Sequence, residues 1–448
     1  MKKLLIQMQT KLDRIKRMFI LMLGFIIVDN ISAAEQVSDT IKTEAVVSKI
    51  SSIEDIEQRL SILNEKMLSW GAFKVSGYVQ FDVTYRQVSN DVGFSVRRGL
   101  LKGAYSNAWG AAVLQVNITE KGIGLKGAYL MAKLPKFDWL KLTGGVFDRP
   151  FGYEIEYSSS VRESPERALI TTTLFPNDQD LGAKLTFQGP KNTAWNRLKL
   201  DAGILVGNGI AWEDKSKYGD MDKDFIAQIS YRQDFDKMSF GVGASVYYGN
   251  VYVGNYIDAL ENVTQYKAYE LVNKKYIAVD KALFQRQYYG IDAQYEIKSI
   301  LGTTKIFGEF LIGTQPGLSG SSVSSSGSGY MNGEATFSGS HDANAGDLYL
   351  RPFMGGYVYL VQNIVNSKHS ITVKYDCYDP NYMLSGTECL NIGDIKYQTL
   401  GIGYMFTLSK YLRFMAYVDL IWNENTALPD YTYNKRDNVL TVRAQYKF

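Results

Sequence analysis

The sequence predicts an all-β protein: a closed, antiparallel, transmembrane β-barrel of about 16 strands with a short N-terminal helix. Three observations support this fold class. Apolar and polar residues alternate along most of the chain after Trp70, which is the period of strands with one apolar and one polar face. The connections between these strands tend to alternate between short and long, and the number of strands is even. Both features are typical of barrels that span an outer membrane.

The composition limits the class of function. The 448 residues are 46% hydrophobic and include 32 Tyr, 40 Gly and 9 Pro, which is more aromatic and glycine-rich than an average cytosolic enzyme. Two Cys and two His leave too few ligands for a zinc cluster or a haem, so we expect no metal and no cofactor. Residues 1–34 hold six of the 49 Lys and Arg and two of the 46 acids, so the remainder carries 43 minus 44, or −1. That balance gives no electrostatic support for a nucleic-acid partner.

Residues 1–34 have the organisation of a signal peptide. A basic stretch ends at Arg17, an 11-residue apolar run extends from Met18 to Val28, and small residues precede Glu35. We therefore predict export and cleavage near Glu35. A membrane anchor is the alternative, but 11 residues are too few to cross about 30 Å of hydrocarbon.

Residues 35–72 are predicted to form a periplasmic N-terminal segment with a short, coiled-coil-like helix. Its apolar residues recur at spacings of three and four, with charged residues between them. They are Ile53, Ile56, Leu60, Leu63 and Met67. A helix of about two heptads is marginal alone, so it either coils with copies of itself or packs against the rest of the chain. The sequence leaves both arrangements open.

Residues 73–448 are predicted to form the barrel, because the period of two is largely maintained there without intervening helices. From Arg197 to Val206, for example, apolar residues alternate with Arg, Lys, Asp and Gly, and only Leu205 breaks the order. We predict strands near 73–86, 94–106, 109–119, 124–134, 139–147, 181–188, 197–206, 224–234, 238–249, 284–298, 302–313, 348–363, 368–378, 395–408, 411–422 and 438–448.

The predicted connections fall into two classes. The tight ones are 106–109, 135–138, 235–237, 299–301, 364–367 and 409–410, and the long ones are 148–180, 207–223, 250–283, 314–347, 379–394 and 423–437. The exceptions are 189–196, which is intermediate, and 87–93 and 120–123, which are short although they belong to the long-loop side. A soluble β-sandwich or a β-propeller is the alternative, but neither explains the alternation.

The end of the chain supports the same fold. Leu440, Val442, Ala444, Tyr446 and Phe448 lie on one face of the last strand. This pattern is similar to the C-terminal strand signal of bacterial outer-membrane barrels. We therefore expect a bacterial outer-membrane location, with lipid as the partner of the outer face and no unpaired strand edge in the bilayer.

Sixteen strands enclose more room than their own side chains fill, so an aqueous channel is predicted. Where the alternation is clear, 12 basic and 7 acidic residues face inward. They are Lys74, Arg86, Lys141, Lys184, Arg197, Lys199, Arg232, Arg286, Lys305, Lys374, Arg413 and Arg443, against Asp82, Asp201, Asp292, Glu296, Glu309, Asp376 and Asp419. This excess of positive charge favours anions. A bulge in any strand would reverse the assignments that follow it.

The loop at 148–180 carries the most specific pattern. It reads Asp148-Arg149-Pro150-Phe151-Gly152-Tyr153-Glu154, then Ser158-Ser159-Ser160, then Glu163 through Glu166-Arg167. Here the sequence resembles the phosphate-selective porin family (porin O and P type), which has a Pro-Phe-Gly or Pro-Phe-Ser step, an acidic residue, a serine pair and a Glu-Arg at this place. The resemblance covers roughly residues 73–190, and the remainder only as strand rhythm and length.

The resemblance implies a homotrimeric porin that passes small hydrophilic solutes or anions by diffusion and whose third loop folds inward to narrow the pore. The family often has a basic residue shortly before its Leu-Gly step. This chain has Asp178-Gln179-Asp180 there, which argues against phosphate selectivity.

The predicted pore-lining residues lie in the third loop and on nearby strands. They are Arg149, Tyr153, Glu154, Glu156, Arg162, Glu166 and Arg167 of the loop, and Lys141, Lys184, Arg197 and Lys199 of the strands. The three arginines are the first choice, because a guanidinium both pairs with acids and contacts anions. Alternatively, the loop charges pair with one another and hold the loop against the wall.

Two further predictions concern the outer loops. Cys377 and Cys389 flank one of them, and an oxidising export route would permit a disulfide worth about 3 kcal/mol, with two isolated thiols as the alternative. The long loops 250–283 and 314–347 suggest a second function, a surface-exposed binding or adhesion barrel with a plugged lumen. An enzyme is not expected, since neither His341 nor His369 lies in a setting suited to a catalytic triad.

Overall fold

The computed structural model describes residues 72–134, 136–190, 192–207, 209, 223–253, 255–257, 263–281, 283–324 and 346–448. The predicted signal peptide and the predicted helix of residues 53–67 lie outside these residues. Within the described residues, no helix combines the length and the hydropathy that a membrane-spanning helix needs.

Twenty strands are numbered β1 to β20 in chain order. They are Ala72–Arg86, Asp91–Ser106, Gly110–Thr119, Gly122–Leu134, Phe137–Asp148, Gln179–Gln188, Leu198–Leu205, Asp224–Asp234, Met238–Tyr252, Asn255–Ile257, Val263–Gln265, Ala268–Val272, Lys275–Val279, Leu283–Ser299, Gly302–Gly317, Leu348–Asn363, His369–Asp379, Tyr397–Thr407, Leu412–Asn423 and Val439–Lys447. Among the described residues, three short 3-10 helices, Ala194–Arg197, Gly386–Glu388 and Ile392–Asp394, and one α-helix, α1 (Leu169–Leu174), accompany these strands.

The strands close into one antiparallel barrel. The main sheet has 18 strands, and β12 and β13 form a hairpin beside the ring, which leaves 16 strands in it. β9 pairs with β14, and β1 pairs with β20, so the first and last strands close the barrel. The predicted closed barrel of about 16 strands is confirmed. The sequence did not reveal the short hairpins β10–β11 and β12–β13, which lie within one predicted loop.

The alternating sequence gives each strand an apolar outer face. On β16, Val358 and Leu360 are exposed on the outside, whereas Tyr357 and Tyr359 are buried on the inside. Large apolar side chains such as Ile291 are likewise exposed on the outer faces of other strands. An apolar outer surface of this kind matches a lipid solvent rather than water.

The connections separate into two ends of the barrel. We call the end with the turns at 107–109, 135–136, 189–197, 235–237, 300–301, 364–368 and 408–411 the short-turn end. The opposite end, called the long-loop end, carries the connections at 87–90, 120–121, 149–178, 206–223, 253–282, 318–347, 380–396 and 424–438. The two predicted classes of connection, tight and long, therefore lie at opposite ends of the barrel.

The largest buried cluster lies inside the barrel. The connection at residues 149–178, called the third loop, contributes Phe151, Ile155 and Phe175 to it, and α1 adds Ile170. Other members include aromatic residues of β5, β9, β14, β15, β16, β17 and β19. The third loop is thus packed against one side of the lumen.

Two sequence predictions are wrong in their local structure. Arg197 does not lie on an inward strand face, because it ends an exposed 3-10 helix at the short-turn end, before β7 begins. The disulfide is not formed: Cys377 and Cys389 are both free thiols. The Sγ of Cys389 instead lies 3.4 Å from a carboxylate oxygen of Glu424.

Candidate functional site: the third loop and the lumen wall

The root of the third loop is held by a buried ion pair. Arg149 is 3% exposed, and its Nη2 donates to Asp180 Oδ2 at 2.7 Å and to the carbonyl of Gly207 at 3.2 Å. Its guanidinium also lies 5.8 Å from the ring centre of Phe175 and 5.9 Å from that of Tyr247. A buried pair with these additional contacts fixes the loop to β6 and β9.

A glycine allows the loop to approach β15 closely. Gly152 has φ +60°, and a Cβ there would lie 1.7 Å from Glu309 Oε1. The same carboxyl group accepts hydrogen bonds from the backbone N–H of Tyr153 at 3.3 Å and of Glu154 at 3.4 Å. Only glycine satisfies both the backbone conformation and the space at this position.

The middle of the loop is organised by Glu154. Its carboxylate is fully buried and accepts hydrogen bonds from the backbone N–H of Ala168 at 3.0 Å and from the hydroxyl of Tyr359 at 3.1 Å. Arg162 lies nearby and is 2% exposed, and its Nε and Nη2 have no hydrogen-bond partner among the described residues. Burial, together with the positive charge of Arg167, lowers the pKa of Arg162 to about 10.

The tip of the loop is attached to the strands that close the barrel. The hydroxyl of Tyr78 on β1 lies 2.6 Å from Ser159 Oγ, and the Nε2 of Gln80 donates to the Ser159 carbonyl at 2.9 Å. On β20, the Nε2 of Gln445 donates to the Ser160 carbonyl at 2.9 Å. The loop therefore crosses the lumen and is hydrogen-bonded at its root and at its tip.

Three polar cavities lie beside the loop. An upper cavity of about 850 Å³ is near the long-loop end, a middle cavity of about 450 Å³ lies between the loop and β1 to β4, and a lower cavity of about 470 Å³ is near the short-turn end. Arg167 lines both the upper and the middle cavity. Ser160, Val161 and Lys447 line both the middle and the lower one. The cavities therefore follow one another through the barrel.

Two β-bulges point basic side chains into this path. In the β1–β2 pairing, Gln80 is opposite Arg98 and Phe81 is opposite Val96, so Arg97 is an extra residue in β2. Arg97 consequently reaches the upper cavity while its neighbour Arg98 reaches the middle one. The β3–β4 pairing skips Lys126 in the same way, and Lys126 also lines the middle cavity.

Ion pairs fix Asp178 beside the middle cavity and Glu166 beside the upper cavity. Asp178 lies 2.5 Å from Lys126 Nζ and 2.8 Å from Arg167 Nη1. Burial alone would raise the pKa of Asp178, but these two cations outweigh it and hold the pKa well below its usual range. Burial likewise opposes ionisation of Glu166, yet the hydrogen bond and the charge of Arg97 lower its pKa to about 2. Both carboxylates are therefore ionised at neutral pH.

Three cations of the middle cavity have no such partner. The cavity is lined by five basic residues, Arg98, Lys102, Lys126, Arg167 and Lys447, and three acidic ones, Asp148, Glu156 and Asp178. Among the described residues, no carboxylate oxygen lies within 4 Å of Arg98, Lys102 or Lys447. The middle cavity therefore carries positive charge that its own carboxylates do not neutralise.

Several of the predicted residues line the cavities. Glu156 lines the middle cavity and pairs with Lys199 at 3.0 Å, while Lys184 lies 3.9 Å from it. Glu166 lines the upper cavity, and Arg167 lines the upper and the middle one. Lys141 is half-buried on the inward face of β5.

Other predicted residues have a different place. Arg149, Glu154 and Arg162 are buried and do not line the three cavities. The ion pair of Arg149 and the hydrogen bonds of Glu154 hold these two residues on the packed side of the loop. Tyr153 is half-buried and stacks on Tyr157, with ring centres 5.0 Å apart. Arg149 therefore fits the alternative interpretation of the sequence, in which charges of the loop form ion pairs and hold the loop against the barrel wall.

Sequence reasoning missed Arg98, Lys102 and Lys126. The two bulges hid Arg98 and Lys126, because strict alternation places only one of two consecutive residues inside. To predict that Lys102 faces inward, one must know which alternate residues of β2 point into the barrel, and the bulge obscured this as well. The pair Arg97-Arg98 inside an otherwise alternating strand was the one signal that could have identified the first bulge.

Comparisons with known proteins bear on the fold. No protein-family model and no curated protein matches the chain. The solved structure of an anion-selective porin from Comamonas acidovorans is similar, with a TM-score of 0.50, 11% sequence identity, and coverage of 84% of this chain and 99% of that chain. The chain has a porin-like fold. Membership of the phosphate-selective porin family stays a prediction.

Two further solved structures are similar to this chain. The outer membrane channel DcaP of Acinetobacter baumannii has a TM-score of 0.48 and 13% identity, with coverage of 85% of this chain and 99% of that chain. A loop-deletion mutant of OmpT, an outer membrane protein of Vibrio cholerae, has a TM-score of 0.49 and 11% identity, with coverage of 85% and 100%.

Proposed function

We propose that this protein is a bacterial outer-membrane porin, a water-filled channel for the passive diffusion of small hydrophilic solutes with a weak preference for anions. The series of three polar cavities beside the third loop carries this proposal. The apolar outer surface of the barrel supports a location in lipid. A barrel of 16 strands with a polar interior leaves room for water and solutes.

The smallest of the three cavities on the proposed path is the middle one. One side of it is the wall of β1 to β4 with Arg98 and Lys102, and the other side is the third loop with Glu156. An anion that passes here meets three cations, Arg98, Lys102 and Lys447, without carboxylate partners among the described residues. By Coulomb's law, one cation about 7 Å from the path contributes about 0.6 kcal/mol in water, so Arg98 and Lys102 together contribute about 1 kcal/mol.

Planar-bilayer recording of the purified protein tests the channel. We expect stepwise current, and in a KCl gradient a reversal potential of the sign that chloride permeation gives. No current at any voltage would remove the proposal and would favour the plugged binding barrel. Phosphate in place of chloride tests the predicted phosphate-selective family, and native mass spectrometry in detergent tests the proposed homotrimer.

A paired substitution tests the assigned residues. R98Q/K102Q should lower the chloride-to-potassium permeability ratio by roughly fivefold, which corresponds to about 1 kcal/mol. The matched control is K275Q, which removes an exposed lysine on the outer hairpin β12–β13. An unchanged ratio in R98Q/K102Q, or an equal fall in K275Q, would show that the middle cavity does not set the selectivity.

A further inference from the structure

The short turns expose large apolar side chains. Every one of the seven turns carries at least one on the turn or on the first residue after it, namely Trp109, Phe137, Trp195, Phe235, Ile300 with Leu301, Ile364 with Val365, and Leu408. Ile300 is 88% exposed, which makes it the most exposed large apolar residue of the described chain. Turns that face water are normally polar, because exposed apolar area of this size is unfavourable there.

Six of these turns also carry an exposed cation on the turn or within two residues of it. The cations are Lys136, Arg197, Lys237, Lys298, Lys368 and Lys410. Among the described residues, none of them has a carboxylate oxygen within 4 Å. Of the nearby acids, Asp234 pairs with Arg232, and Asp236 is exposed beside Lys237.

The long-loop end carries exposed cations of both kinds. Lys274 there lies 2.6 Å from Glu388, and Lys281 pairs with Glu270, whereas Lys275 and Arg436 have no carboxylate oxygen within 4 Å among the described residues. The short-turn end differs because all six of the turn cations named above lack such a partner. Each of these six cations lies within three residues of an exposed apolar side chain.

This combination has the chemistry of an anionic lipid surface. Apolar turn tips gain free energy when they leave water for acyl chains, and Lys and Arg side chains extend from such positions to phosphate groups. We infer that the short-turn end binds anionic phospholipids, with the turn tips among the acyl chains and the cations on the headgroup phosphates. This inference rests on the proposed location of the barrel in a lipid bilayer.

Spin-labelled lipids measure the headgroup preference directly. The full-length protein is reconstituted in phosphatidylcholine vesicles, and the motionally restricted fraction of labelled phosphatidylglycerol is compared with that of labelled phosphatidylcholine. We expect a relative association constant of roughly three in favour of phosphatidylglycerol. K298S/K368S should bring it towards one, whereas the control K275S/R436S, which removes two exposed cations of the long-loop end, should leave it unchanged.

A second label reports on the depth of the turns. I300C in a C377S/C389S background, labelled with an environment-sensitive dye, should be quenched by lipids brominated on the acyl chain. The same dye at I277C on the outer hairpin, where Ile277 is 49% exposed, should be quenched by aqueous iodide instead.

The outcomes separate this inference from the proposed function. If K298S/K368S still gives current in a planar bilayer, the porin proposal stands, whatever the lipid-binding measurement shows. Equal association constants for the two lipids in the unmodified protein would overturn the headgroup preference. Iodide quenching at position 300 would overturn turn insertion and would favour a water-soluble partner at this end.

Discussion

Replacing Gly152 by alanine should break the close contact of the third loop with Glu309 on β15. The left-handed backbone at φ +60° costs an alanine about 1 kcal/mol. The new Cβ would also lie 1.7 Å from Glu309 Oε1, so the carboxyl group must move. It would then lose the hydrogen bonds from Tyr153 and Glu154, each worth about 1 kcal/mol. We therefore expect G152A to lower the free energy of unfolding by about 3 kcal/mol.

Urea unfolding in detergent micelles measures this loss, and single-channel recording should show a larger and less steady current. G124A is the matched control, because Gly124 lacks a positive φ and a Cβ there would meet nothing within 4 Å. In an E309A background the clash is absent, so G152A should cost only about 1 kcal/mol. Equal costs in both backgrounds would refute the role given to Glu309.

Three other substitutions test the anchoring of the third loop and the state of the thiols. R149M should cost about 3–5 kcal/mol in urea unfolding, because it leaves the Asp180 carboxylate buried without its partner, and R149M/D180L should recover most of the loss. The stability difference between the protein and E166Q should be constant above about pH 5 and disappear as the pH falls from about 4.5 to about 2, since the folded-state pKa of Glu166 is lowered to about 2. Mass spectrometry after maleimide labelling of the unreduced, denatured protein should count two free thiols, and a single disulfide would contradict the structure at Cys377.

Strand positions were predictable from the sequence because alternation and turn composition are local signals. β8 extends over Asp224–Asp234 and β16 over Leu348–Asn363, the same bounds as their predicted ranges. The inward fold of the third loop was predicted in another way, from the resemblance of residues 148–180 to the phosphate-selective porin family.

The roles of individual charges were not predictable in the same way. Arg149 became an anchor because Asp180 and Tyr247, which are far from it in sequence, converge on its guanidinium. The lumenal positions of Arg98 and Lys126 depend on bulges, which follow from the pairing of two strands rather than from either strand alone. Pairing partners that are distant in sequence therefore decide which charge meets the channel.

The attachment of the loop tip to β1 and β20 has a consequence for assembly. Ser159 bonds to Tyr78 and Gln80 near the start of the described chain, and Ser160 bonds to Gln445 near its end. This anchorage is complete only when those two strands have met. The loop tip therefore reaches its full set of hydrogen bonds only after the first and last strands of the barrel have paired, and it then links those two strands from inside the lumen.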